Sequence, residues 1–148
     1  MTTVRKGRRE DLPAVHALVR ELAVYEQAEH EFTATLEDYY ADFEAGIFQT
    51  IVAERSGEVI GMALYYMTYS TWKGRMLYLE DFVVREADRR KGVGQLIFDA
   101  FLAEAKAQGC RLTKWQVLDW NTPAVQFYEK QSAAIEKEWW NGKISFQL

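Results

Sequence analysis

The residues able to do chemistry in this chain sit in a few places. Arg89-Arg90-Lys91-Gly92-Val93-Gly94 sets three cations and two glycines at the head of an amphipathic helical pattern. A helix N-terminus presents N–H groups without helical partners and the positive end of the dipole. Glycines let the backbone come close to a phosphate, so the segment suits a polyphosphate anion. The spacing equally suits a solvated turn before a helix, and by itself it leaves both readings open. No Gly-Lys-Ser/Thr follows, so it is not a P-loop, and the third glycine of the dinucleotide fingerprint is missing.

Glu80 and Asp81 interrupt the apolar run 76–84. Neighbours on a strand point to opposite faces, so one of these carboxylates is expected to meet a protein-lined surface, either a cleft or a structural partner. Tyr128 shares a helical pattern with Val125 and Phe127, and from that spacing alone a core aromatic is the favoured reading. Between Glu21 and Glu54 there is no Lys or Arg, while nine residues are Asp or Glu. That is either a solvated face or an electrostatic funnel for a cationic amine. Cys110 is the only cysteine, so neither an internal disulfide nor a thiolate zinc site can form, and its thiol is expected to be inert. His16 and His30 lack metal-ligand spacing, no metal is expected, and His16, off the apolar stripe, is read as exposed. The tryptophans 115, 120, 139 and 140 read as core or interface, or as an aromatic wall for a cation.

Positioning these groups takes a recognisable order of elements. Thr2–Lys6 reads as a short strand. Leu12, Val15, Leu18, Val19, Leu22 and Tyr25 recur at helical spacing behind Asp11. Thr35 and Asp38 resemble a capping box for a second helix that Gly46 ends. Phe48–Glu54 and Val59–Tyr69 read as strands joined at Ser56-Gly57, and Met76–Val84 as a third. A helix from the glycine loop runs to about Gln108. Leu112–Leu118 is a strand, and Asn121-Thr122-Pro123 opens another helix. Ala134–Trp140 and Lys143–Leu148 flank Asn141-Gly142, a strong hairpin signal. The order β-α-α-β-β-β-α-β-α-β-β gives an α/β fold with a mixed, mostly antiparallel twisted sheet. The strand–helix–strand crossover makes strands 76–84 and 112–118 parallel neighbours or near neighbours.

At 148 residues, 49% hydrophobic and 27% charged, the chain is expected to be one domain, 1–148, with a sizeable core. A net charge of −4 argues against a nucleic-acid partner. No apolar stretch approaches the ~18 residues of a membrane span, and the charged start lacks the apolar run of a signal peptide. A cytoplasmic protein is expected, with neither nucleic acid nor membrane as partner.

The R-x-x-G-x-G segment, after a strand and before an amphipathic helix, resembles the acyl-CoA signature of the GNAT superfamily of N-acetyltransferases, and the element order resembles that fold over nearly the whole chain. Glu21–Glu26, Tyr65–Tyr69, Leu77–Phe82 and Trp120-Asn121 with Phe127-Tyr128 resemble the diamine (spermidine/spermine) N-acetyltransferases. Val117–Asn121 is most similar to the thialysine branch. The resemblance implies acetyl-CoA as co-substrate and a splayed parallel strand pair where Phe82, Val83 and Val84 would meet the pantetheine arm through their backbone. Arg90, Lys91, Gly92, Val93, Gly94 and Gln95 would hold the pyrophosphate, with Arg89 heading the motif, Asn121 and the start of the next helix lining the cofactor's far side, and Tyr128 also binding the cofactor. Tyr25, Glu26 and Glu80 would contact the acceptor, Glu80 would take its proton, and Tyr128 would be the general acid. It also implies a homodimer, with the C-terminal hairpin as a contact. Ser132 stands where the family usually has glycine.

The implied activity is acetyl transfer by direct attack to a primary amine of a small cationic substrate: a polyamine, a diamine, or a thialysine- or lysine-like amino acid. The alternatives are another amine, such as an antibiotic or a protein N-terminus, or a non-catalytic acyl-CoA-binding regulatory module.

Overall fold

The computed structural model describes residues 1–147. They form two compact units that divide after Gln116. The first holds β1 (Thr3–Lys6), α1 (Leu12–Tyr25), α2 (Leu36–Glu44), β2 (Gln49–Arg55), β3 (Glu58–Ser70), β4 (Gly74–Val84), α3 (Val93–Ala107) and β5 (Leu112–Trp115). The second holds α4 (Thr122–Lys130).

The strands lie side by side in chain order, antiparallel from β1 to β4 and parallel between β4 and β5. Ser56 and Gly57, both at positive φ (52° and 79°), make the tight turn between β2 and β3 that a two-residue hairpin demands. Alternation then divides the sheet. Val52, Met62, Leu64 and Val83 pack against Leu12, Val15 and Leu18 of α1, with Tyr39 and Phe43 of α2 beside them. On the other face Tyr65 meets Phe101 of α3 at 5.5 Å between ring centroids. Gly61 is what lets α3 approach: a Cβ there would lie 3.0 Å from Ile97 Cδ1 and 3.1 Å from the Val83 carbonyl oxygen. The capping box of α2 is present, with Asp38 N–H donating to Thr35 Oγ1 and Thr35 N–H to Asp38 Oδ2.

His16 departs from its expected exposure. Its Nε2 lies 2.9 Å from the Ala34 carbonyl oxygen, which can only accept, and its ring is 4.8 Å from both Phe32 and Tyr39. The aromatic cluster between α1 and α2 draws it in. Cys110, half-buried, rests with Sγ 3.7 Å from Met67 Sδ, and burial pushes its thiol up, away from reactivity.

Two sequence expectations about the C-terminal part need correction. The strand expected to reach Leu118 ends at Trp115. The final hairpin is not formed: residues 133–147 carry no strand, and Leu148 lies outside the described residues. A hairpin needs a third strand or a covered face to be stable. The side chains that would supply that face are open to solvent, with Trp140 94%, Ile144 83% and Phe146 79% exposed. Ser132, where the family resemblance leads one to expect glycine, takes a left-handed conformation at φ 64°, just after α4. A side chain there costs about 1 kcal/mol, so the turn is kept under mild strain.

Candidate active site

The anion loop is built by the way α3 begins. Gly92 caps the helix at φ 81°, a conformation that glycine adopts freely, with nothing within 4 Å of where a Cβ would stand. Val93, 2% exposed, anchors the first turn. Helix geometry leaves first-turn N–H groups without intrahelical acceptors, and neither an acidic residue nor a capping side chain satisfies them within that turn. Arg90 and Lys91 are exposed and make no ion pair among the described residues. Open space, backbone donors and two uncommitted cations therefore fit a diphosphate. Arg89 turns elsewhere. Its Nε donates to the Val84 carbonyl at 2.9 Å, Nη2 lies 3.5 Å from Glu21 Oε1, and the guanidinium carbon sits 5.7 Å from the Tyr25 ring centroid. Gln95 donates to Asp99 at 2.8 Å along α3.

The strand that feeds this loop is irregular where its carboxylates lie. Leu64 faces Asp81 and Tyr65 faces Leu79, so Glu80 is the extra residue of a β-bulge. The bulge defeats strict alternation. Glu80 and Asp81, expected on opposite faces, both line one cavity of about 280 Å³ together with Ala34, Tyr39, Asp42, Phe48, Leu64 and Tyr66. Tyr66 donates to Glu80 Oε1 at 2.6 Å. Burial, the charge of Glu80 and the charge of Glu26 push the Asp81 carboxyl up to about 7. Burial likewise raises the Glu26 carboxyl at the end of α1, next to Tyr25. Burial and the charges of Asp81 and Glu80 push Tyr39 up to about 12, and burial with the hydrogen bond to Glu80 raises Tyr66, so both phenols stay protonated.

The β4–β5 ladder stops at Leu79–Trp115, while β4 continues through Phe82, Val83 and Val84, paired on its far side with β3. The parallel pair therefore spans residues 76–79 of β4 and Leu112–Trp115 of β5, and Phe82, Val83 and Val84 lie beyond the end of β5. In the second unit Asn121 caps α4, its Oδ1 accepting from Ala124 N–H at 3.4 Å, and Tyr128 is buried with its ring 5.7 Å from Phe127.

Thus the structure gathers Glu80 and Asp81 on one cavity wall, places Tyr25 and Glu26 at the end of α1, and sets Arg90–Gly94 at the head of α3. Asp81, Tyr66 and Tyr39 were missed in the sequence as site residues. Nothing in an alternating pattern announces a bulge, and aromatic residues at strand or helix spacing read as core.

Residues 12–133 match the model of the acetyltransferase (GNAT) family. The thialysine N-epsilon-acetyltransferase of Mus musculus is 36% identical, over 99% of this chain and 92% of the relative. That of Bos taurus is 35% identical, over 93% and 88%. A solved aminoglycoside acetyltransferase from an uncultured soil metagenomic sample superimposes with a TM-score of 0.82 over 99% of this chain and 97% of the other. At 16% identity it speaks for the fold alone.

Proposed function

The chain belongs to the GNAT acetyltransferase family, and from that premise we propose that it moves an acetyl group from acetyl-CoA to a primary amine of a small cationic acceptor: a diamine, a polyamine, or a lysine- or thialysine-like amino acid. One observation carries this reading. A single strand, β4, bears at its bulge the two carboxylates of an acid-lined cavity and then leads into the glycine loop at the head of α3. A cation site and an anion site are thereby joined by one rigid element, as transfer between a polyphosphate donor and an ammonium acceptor requires.

The donor would be held by the backbone of Phe82, Val83 and Val84 and by Arg90–Gln95, with Arg89, Asn121 and Tyr128 as the further cofactor-binding residues that the family resemblance implies. It supplies an activated acetyl thioester. The acceptor arrives as an ammonium ion and must lose a proton before it can attack. Glu80 takes that proton, directly or through a water, with its carboxylate held by Tyr66. Asp81, its carboxyl pushed up to about 7, is a second proton acceptor beside it. N–H groups at the β4 bulge polarise the carbonyl under attack. Tyr128 donates its phenolic proton to the departing sulfur. Tyr25 and Glu26 border the acceptor at the end of α1. The relatives named for thialysine favour an amino acid with a terminal side-chain amine as one acceptor.

Residues 1–148 act on this reading as one N-acetyltransferase domain, in the cytoplasm, as a homodimer. The exposed Trp139, Trp140, Ile144 and Phe146 supply an apolar contact. No helix of the described residues is long and apolar enough to cross a membrane. The test is thiol release from acetyl-CoA over a panel of amines. Turnover on diamines, polyamines, lysine and thialysine is expected. CoA binding without turnover on any amine would instead make the chain an acyl-CoA-binding regulatory module.

A further inference from the structure

The residue immediately ahead of the glycine loop is a buried acid. Asp88 closes the short 3-10 turn Glu86–Asp88 between β4 and the loop and is only 4% exposed. An ionised carboxylate cannot lie there without partners, and it has two. Arg55, at the end of β2, donates from Nη1 to Oδ1 at 2.6 Å, and Arg85, at the end of β4, donates from Nε to Oδ2. Each arginine is itself held. Arg55 donates from Nη2 to Thr2 Oγ1 at 2.9 Å, and Arg85 pairs with Glu58 of β3 at 3.1 Å. The backbone follows the same path, since Asp88 N–H donates to the Arg85 carbonyl and Arg85 N–H to the Ile60 carbonyl. The hydrogen bond from Arg85 and the charges of Arg85, Arg55 and, from the loop itself, Lys91 keep the carboxyl below its ordinary range.

Just beyond Asp88, Arg89 is tied to the Val84 carbonyl at 2.9 Å and lies beside Glu21, so the span left to be held before α3 is Arg90–Gly92. Arg90 takes φ 64°, a strained value for a residue with a side chain, and Gly92 takes 81°. The loop is therefore a short, conformationally demanding span between two fixed ends, Asp88 on one side and buried Val93 on the other. Arg90 and Lys91 are exposed on this span, and neighbouring like charges repel one another.

We infer that Asp88, clamped between Arg55 and Arg85, is a positioning residue that holds the Arg89–Gly92 loop in its anion-binding conformation. Through it the ends of β2 and β4 fix the geometry of the donor site. The inference rests on the reading of that loop as the CoA diphosphate site. Asp88 touches neither substrate; it acts through the backbone of the residues that follow it. Removing its charge leaves two guanidinium groups facing each other without the anion between them, and the loop's first anchor loosens.

Calorimetry with CoA and amide hydrogen exchange, on the unaltered protein and on Asp88→Asn, test this. The Asn variant is expected to bind CoA about tenfold more weakly, as small displacements of a preorganised site do. Its acetyl-CoA KM should rise while kcat at saturation and the amine KM hold. Amides 89–92 should exchange faster while those of β3 do not. Asp88→Glu should recover part of the affinity. In a double-mutant cycle, Arg55→Met should cost little more once Asp88 is Asn. Arg55→Lys, which keeps the charge and loses the planar donor pair, carries the same test if the Asn variant does not fold. Unchanged CoA affinity and unchanged loop exchange in a folded Asn variant would overturn the clamp and leave the acetyltransferase reading intact. Failure of the unaltered protein to bind CoA would overturn the reading of the loop itself, whatever the exchange data show.

Discussion

The Tyr66 hydroxyl donates to Glu80 Oε1 at 2.6 Å across the β3–β4 ladder, from a ring stacked on Tyr78 at 5.5 Å. One oxygen of the carboxylate is thereby fixed and the other left to meet an amine. Tyr66→Phe removes the donor and keeps the stacked ring. Folding should survive, and kcat should fall about tenfold, since Glu80 is then free to leave its productive orientation. The acetyl-CoA KM should stay within twofold or so of its original value. A kcat equal to that of the unaltered enzyme would show that Glu80 needs no such support.

Asp81 makes a pH prediction with a definite sign. Its carboxyl rises from an ordinary 3.8 to about 7 in the folded chain, because burial and the charges of Glu80 and Glu26 disfavour ionisation. The unfolded chain ionises it more readily. The stability it contributes is therefore present at low pH, declines as pH rises above about 4, and is gone above about 7. Asp81→Asn removes the titration, so the variant should gain stability relative to the unaltered protein as pH climbs through that window. Asp11 and Asp88, held low by Arg5 and Arg85, lose their contributions only as pH falls, and they are common to both proteins. Paired thermal melts at several pH values check this, and parallel curves would remove Asp81 as a buried titrating group.

The legible and illegible parts of this molecule divide along physical lines. The capping box at Thr35, the Ser56-Gly57 turn and the glycine cap of α3 are local devices, set by a few adjacent residues, and the sequence displays them directly. The pairing of Glu80 with Asp81 on one wall depends on a bulge across from Tyr65, which is a property of two strands in register and leaves no mark on either alone. The partial burial of His16 is hidden from helical periodicity for a similar reason: its partners Phe32 and Tyr39 come from the following loop and helix. The Asn-Gly hairpin shows the converse failure, where a strong local signal lacks the third strand that would make it pay.

Gly92→Asp tests the donor site. Asp is among the residues that best tolerate positive φ, and it is a good helix N-cap, so the variant should fold. It brings a negative charge to the place proposed for the diphosphate. CoA affinity measured by calorimetry should fall on the order of tenfold or more. Unchanged affinity in the folded variant would place the anion elsewhere.

Tyr128→Phe tests the proton donor. The side chain is buried in α4, and the substitution removes one hydroxyl with little change in volume. Loss of a general acid costs about 10²–10⁴-fold in rate. Acceptors should bind as before while turnover collapses, and thiol release at the original rate would return Tyr128 to the role of a core aromatic.

The acidic stretch from Glu21 to Glu54 predicts how the enzyme should respond to salt. Its nine carboxylates are not all available to steer a substrate, because Glu44 pairs with Arg9 at 2.6 Å, Glu54 with Arg5 at 3.0 Å, and Glu21 lies beside Arg89. The acids nearest the cavity remain: Asp42 on its lining and Glu26, whose charge reaches Asp81. Exposed charges are screened beyond about 8 Å at physiological ionic strength. Steering should therefore appear as a fall in kcat/KM with rising salt that is steeper for a diamine or polyamine than for a neutral acceptor. Glu26 also acts at short range, where salt matters less. Glu26→Gln should raise KM for a polycation about two- to fivefold, the range of a partly screened charge pair, and leave that for acetyl-CoA unchanged. Efficiency on polyamines, lysine and thialysine that ignored both salt and Glu26→Gln would reduce these carboxylates to a solvated face. The acceptor would then have to be found among uncharged or bulky amines that the cavity holds by its apolar wall of Phe48 and Leu64.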